Sequence, residues 1–246
     1  MFRARFIMFH RVKKCISHLF HPAIGEVWLL HRVTNTQSQQ KHLRTYEITP
    51  HRLESLIKSY LNRGYVFVTM PDVYKRMTHG KANPRFVCIT LDDGYADNYD
   101  IAYPIFSKYN VPFCIYICKK MITGERREDE IENYRMLTLE QIQQLDNSPL
   151  CTIGCHTSSH FHLSTMTKEQ QMEEVQDCKE WLQGLLGHKI EDFAYPYGDF
   201  NDETLDVLRQ VGIKRAVVAW GGAVRKDIKG KAFKIPRLLV TEESFM

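Results

Sequence analysis

Residues 85–98 read RFVCITLDDGYADN: seven residues, nearly all apolar, that break off abruptly into two acids and a glycine. Phe86, Val87, Ile89 and Thr90 favour extended backbone. The run shows no alternation of polar and apolar positions, so it predicts a strand buried on both faces, as in the middle of a parallel sheet. Outward from it, similar short runs occur at 27–30 (VWLL), 65–69 (YVFVT), 113–118 (FCIYIC), 151–155 (CTIGC), 192–195 (DFAY), 215–220 (RAVVAW) and 233–240 (FKIPRLLV).

Helix signals separate these runs. Thr49 is a natural N-cap with Pro50 at the first helical position, Leu53, Leu56, Ile57, Tyr60 and Leu61 form one apolar stripe, and Gly64 ends it. Further helices are predicted over 71–77, over 97–109 despite Pro104 (with Asp97 and Asn98 at its N-cap), from Thr138 with Gln141 as a capping box, over 167–186, and from Asn201 to Gly212. Repeated alternation of strand and helix requires parallel strands joined by right-handed crossovers, hence an α/β barrel or a doubly wound sheet.

The 246 residues are 43% apolar and 25% charged, enough for a full core, and a net charge of +4 with a pI near 8.6 is too mild to indicate a nucleic-acid partner. Seven cysteines with no CxxC pairing, mostly inside apolar runs, suit a reducing compartment. Residues 1–22 form a basic leader with Arg3, Arg5, Arg11, Lys13 and Lys14, and with Phe2, Phe6, Phe9, Ile16 and Phe20 near helical spacing. It lacks the apolar core of a signal peptide. Two readings of it stay open: a helix covering one end of the domain, or an amphipathic helix making peripheral membrane contact. The expectation is a cytoplasmic protein, with membrane attachment through the leader as the alternative, and one domain over 23–246. Residues 123–135, with five acids and three bases, read as a surface loop beside a strand end, placed to wall a groove.

Titratable residues gather where the strands end: Asp92 and Asp93 after one, His156 and His160 after a second, Pro196, Tyr197 and Gly198 after a third. In parallel α/β folds that is where sites lie. Two imidazoles three residues apart, with one carboxylate, make a three-donor metal site that leaves positions open for water and substrate. The neighbouring acid can then accept a proton. Taken singly, each signal also has a plain reading, as surface imidazoles or as turn chemistry.

In combination and in this order, ITLDDGYADN resembles the TFDDG motif of the polysaccharide deacetylases of carbohydrate esterase family 4 (the NodB-homology proteins), HTSSH resembles their H(S/T)xxH motif, and AYPYG resembles RxPYG. The similarity extends through LESLIKSYLNRGYVFV and YPIFSKYNVPFCIYI, covering most of 26–240. The resemblance implies a distorted (β/α) barrel of about seven strands and a divalent metal on Asp93, His156 and His160, zinc by default, with iron, cobalt, nickel and manganese suiting the same donors. It also implies Asp92 as general base, the Tyr197 N–H as oxyanion donor after Pro196, and Thr157 as a brace of the histidine loop. The substrate would be an N-acetylated oligo- or polysaccharide or its precursor, N-acetyl before O-acetyl.

Two departures matter. Ala194 stands where the third motif has Arg, and the last strand, IPRLLV, lacks the family's histidine. VWLLHRV at 27–33 resembles the opening strand of the branch that modifies exopolysaccharides, which makes His31 the candidate general acid; a histidine bonded to a loop carbonyl is the alternative. Arg237 is the candidate partner for Asp92, against an ordinary salt bridge on the barrel rim. Tyr95 and Trp220 fit either sugar stacking or core packing, and His162 reads as solvated. The departures also leave room for a non-catalytic carbohydrate-binding protein, or for a small-molecule amidohydrolase. Oligomeric state is not legible.

Overall fold

In a computed structural model, the structure describes residues 23–79, 84–126, 134–225 and 232–244. The leader 1–22 and most of the 123–135 insert (127–133) lie outside them. No helix among the described residues is long and apolar enough to cross a membrane.

Seven parallel strands close on themselves: β1 (Ala23–Leu30), β2 (Phe86–Leu91), β3 (Phe113–Ile117), β4 (Cys151–Cys155), β5 (Asp192–Ala194), β6 (Arg215–Gly221) and β7 (Ile235–Leu239). The spatial order is β1-β7-β6-β5-β4-β3-β2, and β2 returns to β1 in six consecutive register pairs from Gly25↔Phe86 to Leu30↔Leu91. This last pairing decides for the barrel against the doubly wound sheet. Val224–Arg225 adds an antiparallel piece on β1, and Val66–Phe67, shorter than the run 65–69 suggests, adds a parallel one on β2.

The outer layer includes α1 (Pro50–Asn62), α2 (Met70–His79), α3 (Tyr103–Tyr109), α4 (Leu139–Asp146), α5 (Lys168–Leu186) and α6 (Asp202–Gln210). Thr49 caps α1 by accepting from the Arg52 N–H at 3.2 Å, and Thr138 with Gln141 forms the capping box of α4. The segment predicted as one helix over 97–109 instead opens with a wide π-turn at Asn98–Ala102 before α3. Pro104 supplies no N–H, and its ring crowds the carbonyl four residues back, so the preceding turn widens. The Tyr103 N–H accordingly reaches Asn98 O.

Side chains alternate across the barrel wall. Val87, Ile89, Leu91, Ile115 and Phe193 face the helices in the larger cluster, while Phe86, Cys88, Cys114, Tyr116, Ala194, Val217 and Ile235 fill the interior. Between them these layers explain the unbroken apolar strand sequences. The six described cysteines are all free thiols, five of them buried.

Tyr116 crosses the interior into space left by Gly154. A Cβ at Gly154 would lie 2.5 Å from the Tyr116 ring and 3.1 Å from the Asp192 carbonyl oxygen. Neither the fully buried ring nor the backbone has free room to move. Gly154→Ala is therefore expected to lower the free energy of unfolding by about 1–3 kcal/mol through overpacking. A urea titration showing an unshifted midpoint would contradict this account of the interior.

Candidate active site

The acidic pair sits at the open end of β2. The Asp92 N–H donates to Leu30 O at 3.0 Å, carrying the β1–β2 ladder one residue past the strands. Asp93 then takes φ +75°, and Gly94 at φ +90° packs so closely that a Cβ would lie 2.9 Å from Ile117 Cδ1. The histidine loop after β4 is similarly bent, with Thr157 at φ +64° and His160 at φ +55°, and Tyr197 after β5 lies at φ +59°. Among the described residues only five non-glycine positions have positive φ, and four of them are these; the fifth, Asn110, ends α3. Left-handed backbone is costly for a β-branched residue such as Thr157, and such strain clusters at working sites.

The surroundings fix the histidine loop. The His160 N–H donates to Thr157 Oγ1 at 3.0 Å, the contact expected of a brace. The N–H groups of Lys119 and Lys120 donate to the carbonyls of Thr157 and Ser158, Arg126 donates to Ser159 O at 2.6 Å, and Ser159 N–H donates to Glu174 Oε2 at 2.7 Å.

Three donor atoms converge. Asp93 Oδ1 lies 3.4 Å from both His156 Nε2 and His160 Nε2, and the three ligand atoms are within 4.8 Å of one another. Charge-assisted N–H···O bonds are shorter, about 2.7–2.9 Å, and Asp93 Oδ1 is buried without a hydrogen-bond partner. Bonds of 2.0–2.2 Å at tetrahedral angles would place neighbouring donors roughly 3.3–3.6 Å apart, so the set fits a divalent ion. His156 Nδ1 lies 2.8 Å from Ala194 O, to which it donates, so Nε2 is the nitrogen turned toward the cluster. Burial lowers the His160 pKa to about 4, so its imidazole is neutral, as a ligand must be. Asp93 is held far below the usual carboxylate range; burial opposes this, but the three facing imidazoles outweigh it.

Asp92 has a different partner. Arg237, reaching in from β7, donates from Nη1 to Oδ1 at 2.7 Å and from Nη2 to Oδ2 at 2.8 Å. It also donates to Thr90 Oγ1 at 3.1 Å and to Val218 O at 3.0 Å. Only 1% of Arg237 is exposed, so this is an interior pair and not a rim salt bridge. Burial pushes the Asp92 carboxyl up, but Arg237, His156 and His31 outweigh it and keep it below its ordinary value.

His31 lies one residue past β1 and shares with Asp92, Asp93, His156, His160 and Tyr197 a cleft of about 550 Å3. Its ring meets Tyr46 edge-on at 4.8 Å, and its Nδ1 is buried with no hydrogen-bond partner, so that nitrogen is not bonded to a loop carbonyl. Burial lowers the His31 pKa against the pull of Asp93 and Asp92. Tyr95 is buried in the cleft wall, while Trp220 is exposed and donates from Nε1 to Gly198 O at 3.3 Å. The described end of the insert lies beside the acidic turn: the Tyr134 ring meets Tyr95 edge-on at 5.6 Å, and the Ala96 N–H donates to Arg135 O at 2.8 Å.

His162 is exposed, as read from the sequence, and its ring also stacks on Tyr197 with centroids 4.1 Å apart and planes 14° from parallel. One sequence reading is corrected here. Asp97 caps no helix; its carboxylate instead accepts from Arg32 Nε at 3.0 Å and Val33 N–H at 3.2 Å, while Asn98 donates to His31 O at 2.8 Å. Asx residues before a helical segment ordinarily signal caps, and only the neighbouring strand end shows why these two turn away.

Residues 79–216 match the sequence model of the family described as Polysaccharide deacetylase. YxkH of Bacillus subtilis (strain 168) is 30% identical over 175 residues, which is 71% of this chain and 59% of that protein. The poly-beta-1,6-N-acetyl-D-glucosamine N-deacetylase of Staphylococcus aureus (strain MRSA252) is 26% identical over 216 residues, 85% of this chain and 72% of that one. This chain thus spans about three-fifths to three-quarters of the length of those relatives. The solved structure of IcaB from Ammonifex degensii superposes with a TM-score of 0.76 at 26% identity, covering 89% of this chain and 93% of that one.

The three-donor cluster generates a binding prediction. The purified chain is expected to hold one equivalent of divalent metal, with affinity falling as acid protonates the imidazoles. His156→Ala should weaken binding by more than the ~10–100-fold typical of losing an outer partner. Elemental analysis and competition with a chromophoric chelator measure both, and unchanged affinity in the variant would remove His156 from the set.

Proposed function

Because this chain belongs to the polysaccharide deacetylase family, whose model covers residues 79–216, we propose that it hydrolyses N-acetyl groups on an N-acetylated polysaccharide to acetate and free amine. The observation that carries the reading is an ionised Asp92, locked by Arg237 beside the Asp93–His156–His160 cluster in an open cleft. The polymer class is favoured by the name of the Staphylococcus aureus relative and by the exposed rings of Tyr46, Tyr197 and Trp220, which suit sugar faces.

A divalent ion on Asp93, His156 and His160, zinc before iron, cobalt, nickel or manganese, would acidify a neighbouring water and polarise the acetamide carbonyl. Asp92 takes the proton of the attacking water, and Arg237 keeps that carboxylate ionised and aimed beforehand. As the carbon–oxygen bond forms, the backbone N–H of Tyr197 donates to the oxygen that gains charge. The carbon–nitrogen bond then breaks, and the departing nitrogen takes a proton from His31. Thr157 holds the histidine loop, and Pro196 sets the turn that presents Tyr197. The lowered pKa of His31 favours one second reading, in which Asp92 returns the proton to the amine itself.

Acetate release from N-acetylglucosamine oligomers is expected to require metal, to vanish with chelator and in Asp92→Asn, and to drop about 10²–10⁴-fold in His31→Ala. Near-parental activity of His31→Ala would assign both proton transfers to Asp92. No release from any glycan, with one equivalent of metal still bound, would instead favour a carbohydrate-binding protein.

The Asp92–Arg237 pair sets a pH dependence. Asp92 must be ionised to accept a proton, and Arg237 keeps it ionised to lower pH. Arg237→Met should therefore raise the carboxyl pKa and shift the acidic limb of the pH–rate profile upward, with Arg237→Lys shifting it less. An unmoved limb would separate Arg237 from the base.

A further inference from the structure

We propose that Asn98 is a positioning residue that fixes His31 in the cleft, an inference that rests on His31 being the proton donor. His31 extends past the end of β1, and its buried Nδ1 has no hydrogen-bond partner, so that nitrogen does not anchor the ring. What holds its backbone comes from the other motif. Asn98, 67 residues later and directly after the Asp92–Asp93 loop, donates from Nδ2 to His31 O at 2.8 Å and to Asp97 Oδ1 at 3.0 Å. Both partners are acceptors, so only the NH2 side of the amide satisfies them. Asp97 continues the tie, accepting from the Arg32 side chain and the Val33 N–H. Arg32 N–H donates to Tyr46 O at 3.0 Å, and the Tyr46 ring faces the His31 imidazole.

The π-turn belongs to the same device. It begins at Asn98, and widened turns of this kind recur at functional sites. Asn98 is fully buried, so its amide is not a surface accident. One loop thus carries the carboxylate that takes a proton and the amide that sets where the other proton-transfer group stands. Misplacement of a reacting group by about 1 Å can cost on the order of 10²-fold in rate.

The test is a double-mutant cycle of Asn98→Ala and His31→Ala on acetate release, with Asn98→Ser carrying it if the alanine variant does not fold. Asn98→Ala is expected to lower kcat about 10-fold, to leave KM and metal content within about twofold, and to cause no further loss once His31 is alanine. A severe His31→Ala with an unaffected Asn98→Ala would overturn the proposal, as would losses that simply multiply, because Asn98 would then act elsewhere. If His31→Ala is itself harmless, the proton-donor reading fails on its own account. The placement is then decided by the His31 side-chain NMR signals, which should shift or broaden in Asn98→Ala; unchanged signals would reject it.

Discussion

The molecule depends on the pairing of β1 with β2. Six consecutive residue pairs turn an open sheet into a barrel, and they require a glycine at the first of them: a Cβ on Gly25 would lie 2.5 Å from the Phe86 ring. With the wall closed, β7 lies beside β1 on one side and β2 beside it on the other. His31, Asp92 and Arg237, widely separated in the chain, consequently end at one mouth. Were the sheet open at this seam, Asp92 would keep its neighbour Asp93 and lose its counter-charge.

At that mouth the backbone carries strain for a purpose visible in the side chains. Asp93, Thr157, His160 and Tyr197 each adopt left-handed backbone, and three of the four aim a carboxylate or ring at the same few ångströms. Conformations this unfavourable persist only when neighbours over-determine them. Here Thr157 Oγ1, Glu174, Arg126 and the amides of Lys119 and Lys120 do so for the histidine loop. The rigidity of the donor set is thus a property of its supports as much as of the donors.

Much of this was legible from local pattern. The apolar runs located the seven strands, the Thr–Gln pair located the start of α4, and the acids and histidines at strand ends marked the mouth, because each is a short-range signal. What sequence pattern could not carry was long-range register. Whether the sheet closed, and whether Arg237 lay on the rim or inside, both turned on which residues face each other across the seam. Asp97 and Asn98 resemble a helix start for the same reason: their side chains answer a strand end more than sixty residues earlier, which their local sequence context does not show. The stack of His162 on Tyr197 is likewise silent in the sequence, because a ring stack leaves no spacing signature.

The buried fork between Arg237 and Asp92 spans 145 residues of chain. A nascent chain emerging from the ribosome can therefore build β2, the acidic turn and the histidine loop well before the guanidinium that completes them exists. Until β7 docks, a carboxylate destined for full burial has no counter-charge and must stay hydrated or take up a proton. Completion of the site accordingly waits on the docking of β7. Partly synthesised or partly folded molecules would carry both motifs and the donor triad without the ion pair that fixes Asp92.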